Sequence, residues 1–201
     1  MGIVLLLSLL LLIPSQTQAQ EPIFGISQVK TQGATADDEF IELSNPAEFS
    51  ADLSGYKLVK ETTSGNQYTL LTFGQITIEP RSYLLISHRD GIFSVSADAL
   101  YGTALADNNR LYLLAPDASV VNTVAWGTIT GSTLANPGKE EVIARDWQQA
   151  TQTWSSFQVE PFVQTHRSGD LVPANGQVPL ENEPAEPETP SPTVRMNEVS
   201  L

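Results

Sequence analysis

The sequence predicts an all-β sandwich of about nine short strands, because three of its features are typical of that class. Hydrophobic and polar residues alternate in short runs, as they do in strands that bury one face. Turn-forming residues, mainly Gly, Pro, Asn and Asp, separate these runs at regular spacing. No segment shows the 3.6-residue periodicity of an amphipathic helix of useful length.

The strands are assigned in chain order from this alternation and from the turns between them. They are predicted at residues 23–30, 39–44, 55–61, 68–73, 75–78, 83–86, 110–114, 120–127 and 140–146, the final one being the last strand. Residues 83–86 are almost wholly apolar, which indicates a central strand buried on both faces. Residues 63–66 include Gly and Asn, which tolerate positive φ and favour a hairpin turn. Residues 93–106 are compatible with a short helix or a loop.

A core is predicted from large side chains at alternating positions of different strands. These residues are Phe40, Leu58, Tyr83, Ile86, Leu113, Val121 and Trp126. Facing inward from two sheets, they would fill a core about 10 Å thick. Burying one such side chain stabilises a fold by about 1.5–3 kcal/mol, so about a dozen could offset the lost chain entropy.

Residues 1–19 are predicted to be a cleavable signal peptide. The apolar run at 3–13 is shorter than the roughly 20 residues of a membrane-spanning helix and has the length of a signal core. Pro14 ends the run, and small residues up to Ala19 provide a cleavage site. No Lys or Arg precedes the run, so a short, uncleaved membrane anchor is the alternative. The signal peptide predicts a secreted or cell-surface protein.

Composition limits the classes of partner. The chain has no Cys and a net charge of −13. An exported domain without Cys must be held together by core packing alone, without disulfides. Nucleic-acid binding requires a basic surface, so the acidic chain argues against DNA, RNA and anionic lipid as partners. We expect no stable membrane insertion after signal cleavage.

A resemblance to a known family rests on one motif and several later segments. Over residues 38–46 a charged, alternating strand runs into an Asn-Pro turn, and over 52–58 a second strand enters through a Leu-Ser-Gly corner. This combination resembles the opening of the lamin tail domain family, of the bacterial secreted type. Further similar segments are 80–86, 105–113, 117–127 and 142–145. Ser119 stands where the family usually has Gly, and Asn122 where it usually has Asp.

The resemblance implies an immunoglobulin-like β-sandwich that makes protein–protein contacts or attaches at the cell surface. We assign residues 20–150 to this domain and 151–171 to an extension that packs on it or trails from it. Residues 172–193 are expected to be a disordered, Pro- and Glu-rich linker, because such a composition cannot bury a core. Residues 194–201 resemble the first strand of a second, truncated copy, although short tails often show strand-like alternation.

Histidine chemistry gives no convincing catalytic site. His88 and His166 are the only histidines, and neither has zinc-ligand spacing. A triad could be drawn from His88 and Asp90 with Ser87 or Ser94, but no nucleophile elbow surrounds either serine. His88 is therefore predicted to lie at a strand end and face water. We expect no enzyme activity.

Two other clusters contain residue types that occur in binding sites. Asp37, Asp38, Glu39 and Glu42 could supply oxygen ligands for Ca²⁺, but the spacing of a calcium loop is missing, and a solvated strand edge is predicted instead. Four aromatic residues could stack on a glycan, although covering the end of the sandwich is the favoured role. These aromatics are Tyr101, Trp147, Trp154 and Phe157.

The sequence thus predicts a non-catalytic binding module with no catalytic, cofactor or metal residues. Its partner is expected to be a protein or another cell-surface component, and no small-molecule substrate is expected. Two alternatives stay open at this point. The module could target a larger extracellular hydrolase whose catalytic part lies beyond residue 201, or it could be a carbohydrate- or Ca²⁺-binding sandwich.

Overall fold

The computed structural model describes residues 23–163 and 172–173. Within them it contains fifteen strands, of which nine have four or more residues, and one 3-10 helix, Ile92–Val95. The strands are β1 (Gly25–Lys30), β2 (Phe40–Asn45), β3 (Ala51–Asp52), β4 (Lys57–Thr62), β5 (Gln67–Thr72), β6 (Thr77–Ile78), β7 (Ser82–His88), β8 (Ala99–Tyr101), β9 (Asn109–Leu114), β10 (Val120–Ala125), β11 (Glu141–Ala144), β12 (Trp147–Gln148), β13 (Thr153–Trp154), β14 (Gln158–Pro161) and β15 (Val172–Pro173).

Several sequence predictions fall on residues outside this description. The signal peptide at 1–19, the linker from residue 174 onward, the strand at 194–201 and His166 all lie outside the described residues.

The larger sheet has seven strands and forms one layer of the sandwich. Its order is β14-β11-β1-β2-β7-β15, and β8 also pairs with β7. β8 and β15 run parallel to β7, whereas the other neighbours are antiparallel. Every residue of β1, β2 and β7 is buried. The prediction of a central strand at 83–86, buried on both faces, is therefore confirmed.

The smaller sheet has four antiparallel strands in the order β10-β9-β4-β5. Its alternation is clearest in β9, where Leu111 and Leu113 are buried while Arg110 and Tyr112 are only half-buried. The hairpin between β4 and β5 turns at Gly65, whose φ is +81°. This sheet buries one face, as the alternating sequence predicts, and leaves most of the other accessible to solvent.

The main core fills the space between the two sheets. Leu58, Ile86, Leu113 and Trp126 are fully buried there, as predicted, and Val121 is partly buried against them. Trp126 is the largest of the fully buried side chains, and its Nε1 donates a hydrogen bond to Ala106 O at 2.8 Å. The fold class is thus the predicted immunoglobulin-like β-sandwich.

Phe40 and Tyr83 were predicted to lie in this core, and that prediction is wrong. Both are buried in a second cluster with Leu85, on the outer face of the larger sheet. Tyr83 and Ile86 are three residues apart in one strand, so their side chains must point to opposite faces. The rings of Phe93 and Phe162 cover Phe40, at centroid distances of 5.0 and 5.7 Å.

The strand pattern after residue 140 also differs from the prediction. Residues 140–146 were expected to form the last strand, but β12 and β13 pair with each other beyond it, and β14 pairs with β11. Val172–Pro173, at the start of the predicted linker, forms β15 beside β7. The strand predicted at 75–78 shortens to β6, which pairs with β3.

Candidate functional site

Three of the four residues of the acidic cluster are buried, so the prediction of a solvated strand edge is wrong for them, whereas the side chain of the fourth, Asp37, is 45% exposed. Asp38 is 1% exposed, and Glu39 and Glu42 are 0% exposed. The Asp38 carboxylate accepts hydrogen bonds from Thr35 N at 2.8 Å and from Ile92 N at 3.1 Å. Burial acts to raise the pKa of Asp38, but these backbone hydrogen bonds outweigh it and hold that pKa below its usual value. Asp38 therefore serves to fix two loops.

Glu39 and Glu42 point to opposite faces of the larger sheet and do not form a common site. Glu39 Oε2 accepts hydrogen bonds from Tyr101 Oη at 3.1 Å and from Leu105 N at 2.9 Å. Burial raises the pKa of Glu39 to about 7, against the opposing effects of these hydrogen bonds and of Lys60. On the other face, Ser27 Oγ donates to Glu42 Oε1 at 2.6 Å.

His88 is buried, and the prediction that it faces water is wrong. Its side chain packs edge-on against Tyr101 at a centroid distance of 5.6 Å, and its Nδ1 accepts a hydrogen bond from Asp90 N at 3.3 Å. The neighbouring Ser87 donates its hydroxyl hydrogen bonds to the carbonyl oxygens of Glu39 and His88 itself. This arrangement does not bring a serine hydroxyl to a histidine nitrogen.

The four aromatic residues that could stack on a glycan do not form one surface. Tyr101 is 1% exposed and belongs to the main core. Trp147 and Trp154 meet edge-to-face at 5.4 Å across the β12–β13 pair, and Trp154 Nε1 donates to Ile23 O at 2.9 Å. Phe157 packs against the main core. The structure thus uses these rings mainly to cover the sandwich.

A groove of about 640 Å³ opens where β9 and β10 approach the end of β11. We call it the arginine groove, because Arg110 and Arg145 line it together with Tyr112, Thr123 and Phe157. None of the described residues that line it is acidic. In a chain with a net charge of −13, this lining is a local reversal of charge.

The two arginines of the groove differ in their surroundings. Arg110 Nη1 lies 3.1 Å from Glu61 Oε1 in a salt bridge, and its guanidinium also bonds to Tyr112 Oη and Thr130 O. Arg145 instead donates from Nε to Ile26 O at 2.7 Å and from Nη2 to Asn122 Oδ1 at 2.9 Å. Burial lowers the pKa of Arg145 to about 10, so it remains charged at neutral pH.

The edges of the two sheets form a second candidate surface. β5 is a six-residue edge strand that contains no charged residue and no Pro, and among the described strands it pairs with β4 alone. The edge strand β14 of the larger sheet carries Glu160 and Pro161, which discourage the addition of another strand. β10 is also uncharged, but Ser132 Oγ donates to its Ala125 O at 3.0 Å. β5 is therefore the more open edge.

Sequence reasoning named neither the arginine groove nor the edge of β5. Two signals were present: Arg145 lies next to the end of the strand predicted at 140–146 in an acidic chain, and residues 67–72 contain no charge. In the described part of the chain, no group of three His, Cys, Asp or Glu residues could hold a metal ion. The same residues contain no helix long and apolar enough to cross a membrane.

Comparison with known proteins identifies one family. The model of the Lamin Tail Domain family matches residues 17–128, which is more than half of the chain. The match includes β1 to β10 and therefore the edge strand β5 and one wall of the arginine groove. Arg145 and Phe157 lie beyond the matched residues. A search of curated proteins gave no match.

Proposed function

Since the chain belongs to the lamin tail domain family, we propose that it is a non-catalytic binding module of an exported protein, which attaches to a protein partner at the cell surface. The immunoglobulin-like sandwich is an architecture of many cell-surface interaction domains. The apolar run at residues 3–13 supports export, since it has the length of a signal-peptide core.

The open edge of β5 is the observation that carries this proposal. An edge strand presents unpaired backbone N–H and C=O groups, to which an extended segment of another protein can add as a further strand. Natural sheets usually protect such edges with charge or Pro, as β14 does with Glu160 and Pro161. β5 lacks both, and its Tyr68 side chain is 46% exposed. Contact of this kind needs no covalent step.

Site-directed crosslinking tests this proposal. The full chain is produced with p-benzoylphenylalanine in place of Tyr68, incubated with cells of the source species and irradiated, and crosslinked products are identified by mass spectrometry. The matched control carries the same residue in place of Val163, which is 77% exposed and lies after β14. We expect a protein adduct from position 68 and little from position 163.

Three results would contradict the proposal. Equal adducts from both positions would indicate non-specific adhesion. Retention of the chain on cells that is unchanged by prior protease treatment would indicate a non-protein ligand. The third concerns export: the mature secreted chain is expected to begin at Gln20, and an unprocessed chain held in the membrane would indicate the anchor alternative.

A further inference from the structure

Arg145 is a fixed cation in the arginine groove that has no acidic partner among the residues the structure describes. Its Nε and Nη2 are used by Ile26 O and Asn122 Oδ1, whereas its Nη1 has no hydrogen bond to any residue that the structure describes. The salt bridges among the described residues involve Arg81, His88 and Arg110, and none involves Arg145. A guanidinium in this setting retains hydrogen-bonding capacity toward an anion.

Two aromatic rings hold this guanidinium in place. Its Cζ lies 4.4 Å from the ring centroid of Trp154 and 4.4 Å from that of Phe157. Cation–π contacts on a planar guanidinium, combined with two hydrogen bonds, restrict its rotation. An anion that binds there therefore meets a donor that is already positioned, and little side-chain entropy is lost on binding.

We propose that the arginine groove binds a carboxylate group of an acidic peptide segment from a partner protein, with Arg145 as the principal donor. Hydrogen bonds between a guanidinium and a carboxylate are charge-assisted and therefore stronger than neutral ones, and Nη1 of Arg145 is the nitrogen left to donate one. The lining hydroxyls, including those of Thr123 and Thr133, provide further donors. The volume of about 640 Å³ lies within the usual range for ligand pockets, about 300–1,000 Å³.

An acidic peptide fits this groove better than an acidic glycan does. Sugar rings are usually recognised by stacking on an open aromatic face. Here Arg145 lies over Trp154 and Phe157, and Arg110 lies over Tyr112 with its Cζ 5.9 Å from the ring centroid. The arginines thus occupy ring faces at the groove. This surface is at the opposite edge of the smaller sheet from β5, so it is independent of strand addition.

Binding of fluorescein-labelled hexaglutamate to the full chain tests the proposal by fluorescence anisotropy, with hexaglutamine as the neutral probe. Asn122→Asp is the main variant, since it places a carboxylate beside Arg145 and keeps an acceptor for Ile26 N, which now lies 3.2 Å from Asn122 Oδ1. We expect it to weaken hexaglutamate binding by about tenfold or more, as loss of a charge-assisted hydrogen bond does. Asn66→Asp, the same change in an exposed turn, is expected to have little effect.

Arg145→Gln is expected to remove binding, and the Asn122→Asp result decides the matter if that variant does not fold. Undiminished binding by Asn122→Asp would overturn the proposal, as would equal binding of hexaglutamine. Binding of tetragalacturonate without binding of hexaglutamate would overturn it in favour of an acidic glycan. Absence of hexaglutamate binding would also overturn it. None of these results depends on crosslinking at residue 68, so the two proposals can fail separately.

Discussion

The two sheets follow the same alternating pattern of sequence but use it differently. In the smaller sheet, alternate residues of β9 point to the core or toward solvent, as the pattern predicts. In the larger sheet, every residue of β2 is buried on either face, including the polar Glu42 and Ser44. Part of the outer face of the larger sheet is covered by Phe93 and Phe162, whose rings pack on Phe40. Alternation in a strand therefore shows that its two faces differ in polarity, but it does not show that the polar face is exposed to solvent.

The same contrast applies to buried charge. The larger sheet accommodates Glu39 with donors from Tyr101 and Leu105, and its elevated pKa reflects the burial. Where the two sheets meet, Arg145 keeps its charge and part of its hydrogen-bonding capacity. Charge inside the larger sheet thus affects stability, whereas charge at the groove is available for binding.

The largest expected change in the free energy of unfolding comes from substitutions on the outer faces of the two sheets. Phe40→Ala in the larger sheet should lower the free energy of unfolding by about 3–5 kcal/mol, because it opens a cavity beneath Phe93 and Phe162. Tyr112→Ala in the smaller sheet should cost only about 1 kcal/mol, since that side chain is half-exposed. Urea denaturation of both variants measures the difference. Equal losses would show that the two outer faces are equivalent after all.

The next largest expected effect is the dependence of the free energy of unfolding on pH that Glu39 causes. Its folded-state pKa is about 7, above its ordinary value of 4.5, so the folded state holds this proton more tightly than the unfolded state does. Its stabilising contribution is complete below about pH 4.5 and is lost as pH rises through 7. The free energy of unfolding should therefore fall by about 2–3 kcal/mol more in the wild type than in Glu39→Gln between pH 5 and pH 8.

Urea denaturation of the wild type and Glu39→Gln at pH 5 and pH 8 measures this difference in the free energy of unfolding. The difference between the two curves isolates Glu39 from other groups, such as Asp38, whose lowered pKa acts in the opposite direction at acidic pH. Parallel curves for the wild type and Glu39→Gln would mean that Glu39 is not protonated by burial.

The sandwich could be predicted from the sequence because the signals that indicate it are local. Turn residues and period-2 alternation act within a few positions, and both lie in the part of the chain that forms β1 to β10. β14 was missed because residues 158–161 contain a single Val between polar residues and end at Pro. The assignment of Tyr83 to the core could have been corrected from sequence, since its spacing from Ile86 places the two on opposite faces.

The candidate sites were less predictable because they depend on residues that are distant in sequence. Glu39 is buried by Tyr101 and Leu105, which lie more than sixty positions away. Arg145 is positioned by Ile26 and Asn122 from two other strands. A charged residue in an alternating strand gives no local sign of such partners, so a solvated edge was the reasonable but wrong expectation for the acidic cluster.

The smallest expected losses of stability come from substitutions at two glycines, Gly91 beside the larger sheet and Gly65 in the smaller one. A Cβ at Gly91 would lie 2.0 Å from Asp37 O, so Gly91→Ala must displace the loop that bonds to Asp38, at a cost of about 1–3 kcal/mol. Gly65 has open space but a φ of +81°, so Gly65→Ala should cost about 1–2 kcal/mol for conformational reasons.

Substitution by Asn distinguishes the steric cause at Gly91 from the conformational cause at Gly65, because Asn adopts positive φ more readily than Ala does. Gly65→Asn should therefore be more stable than Gly65→Ala, whereas Gly91→Asn should be no better than Gly91→Ala, since its larger side chain meets the same backbone oxygen. Thermal unfolding of the four variants measures this. Rescue by Asn at both positions would mean that the loop at Gly91 is free to move, and that the contacts fixing Asp38 contribute little to the larger sheet.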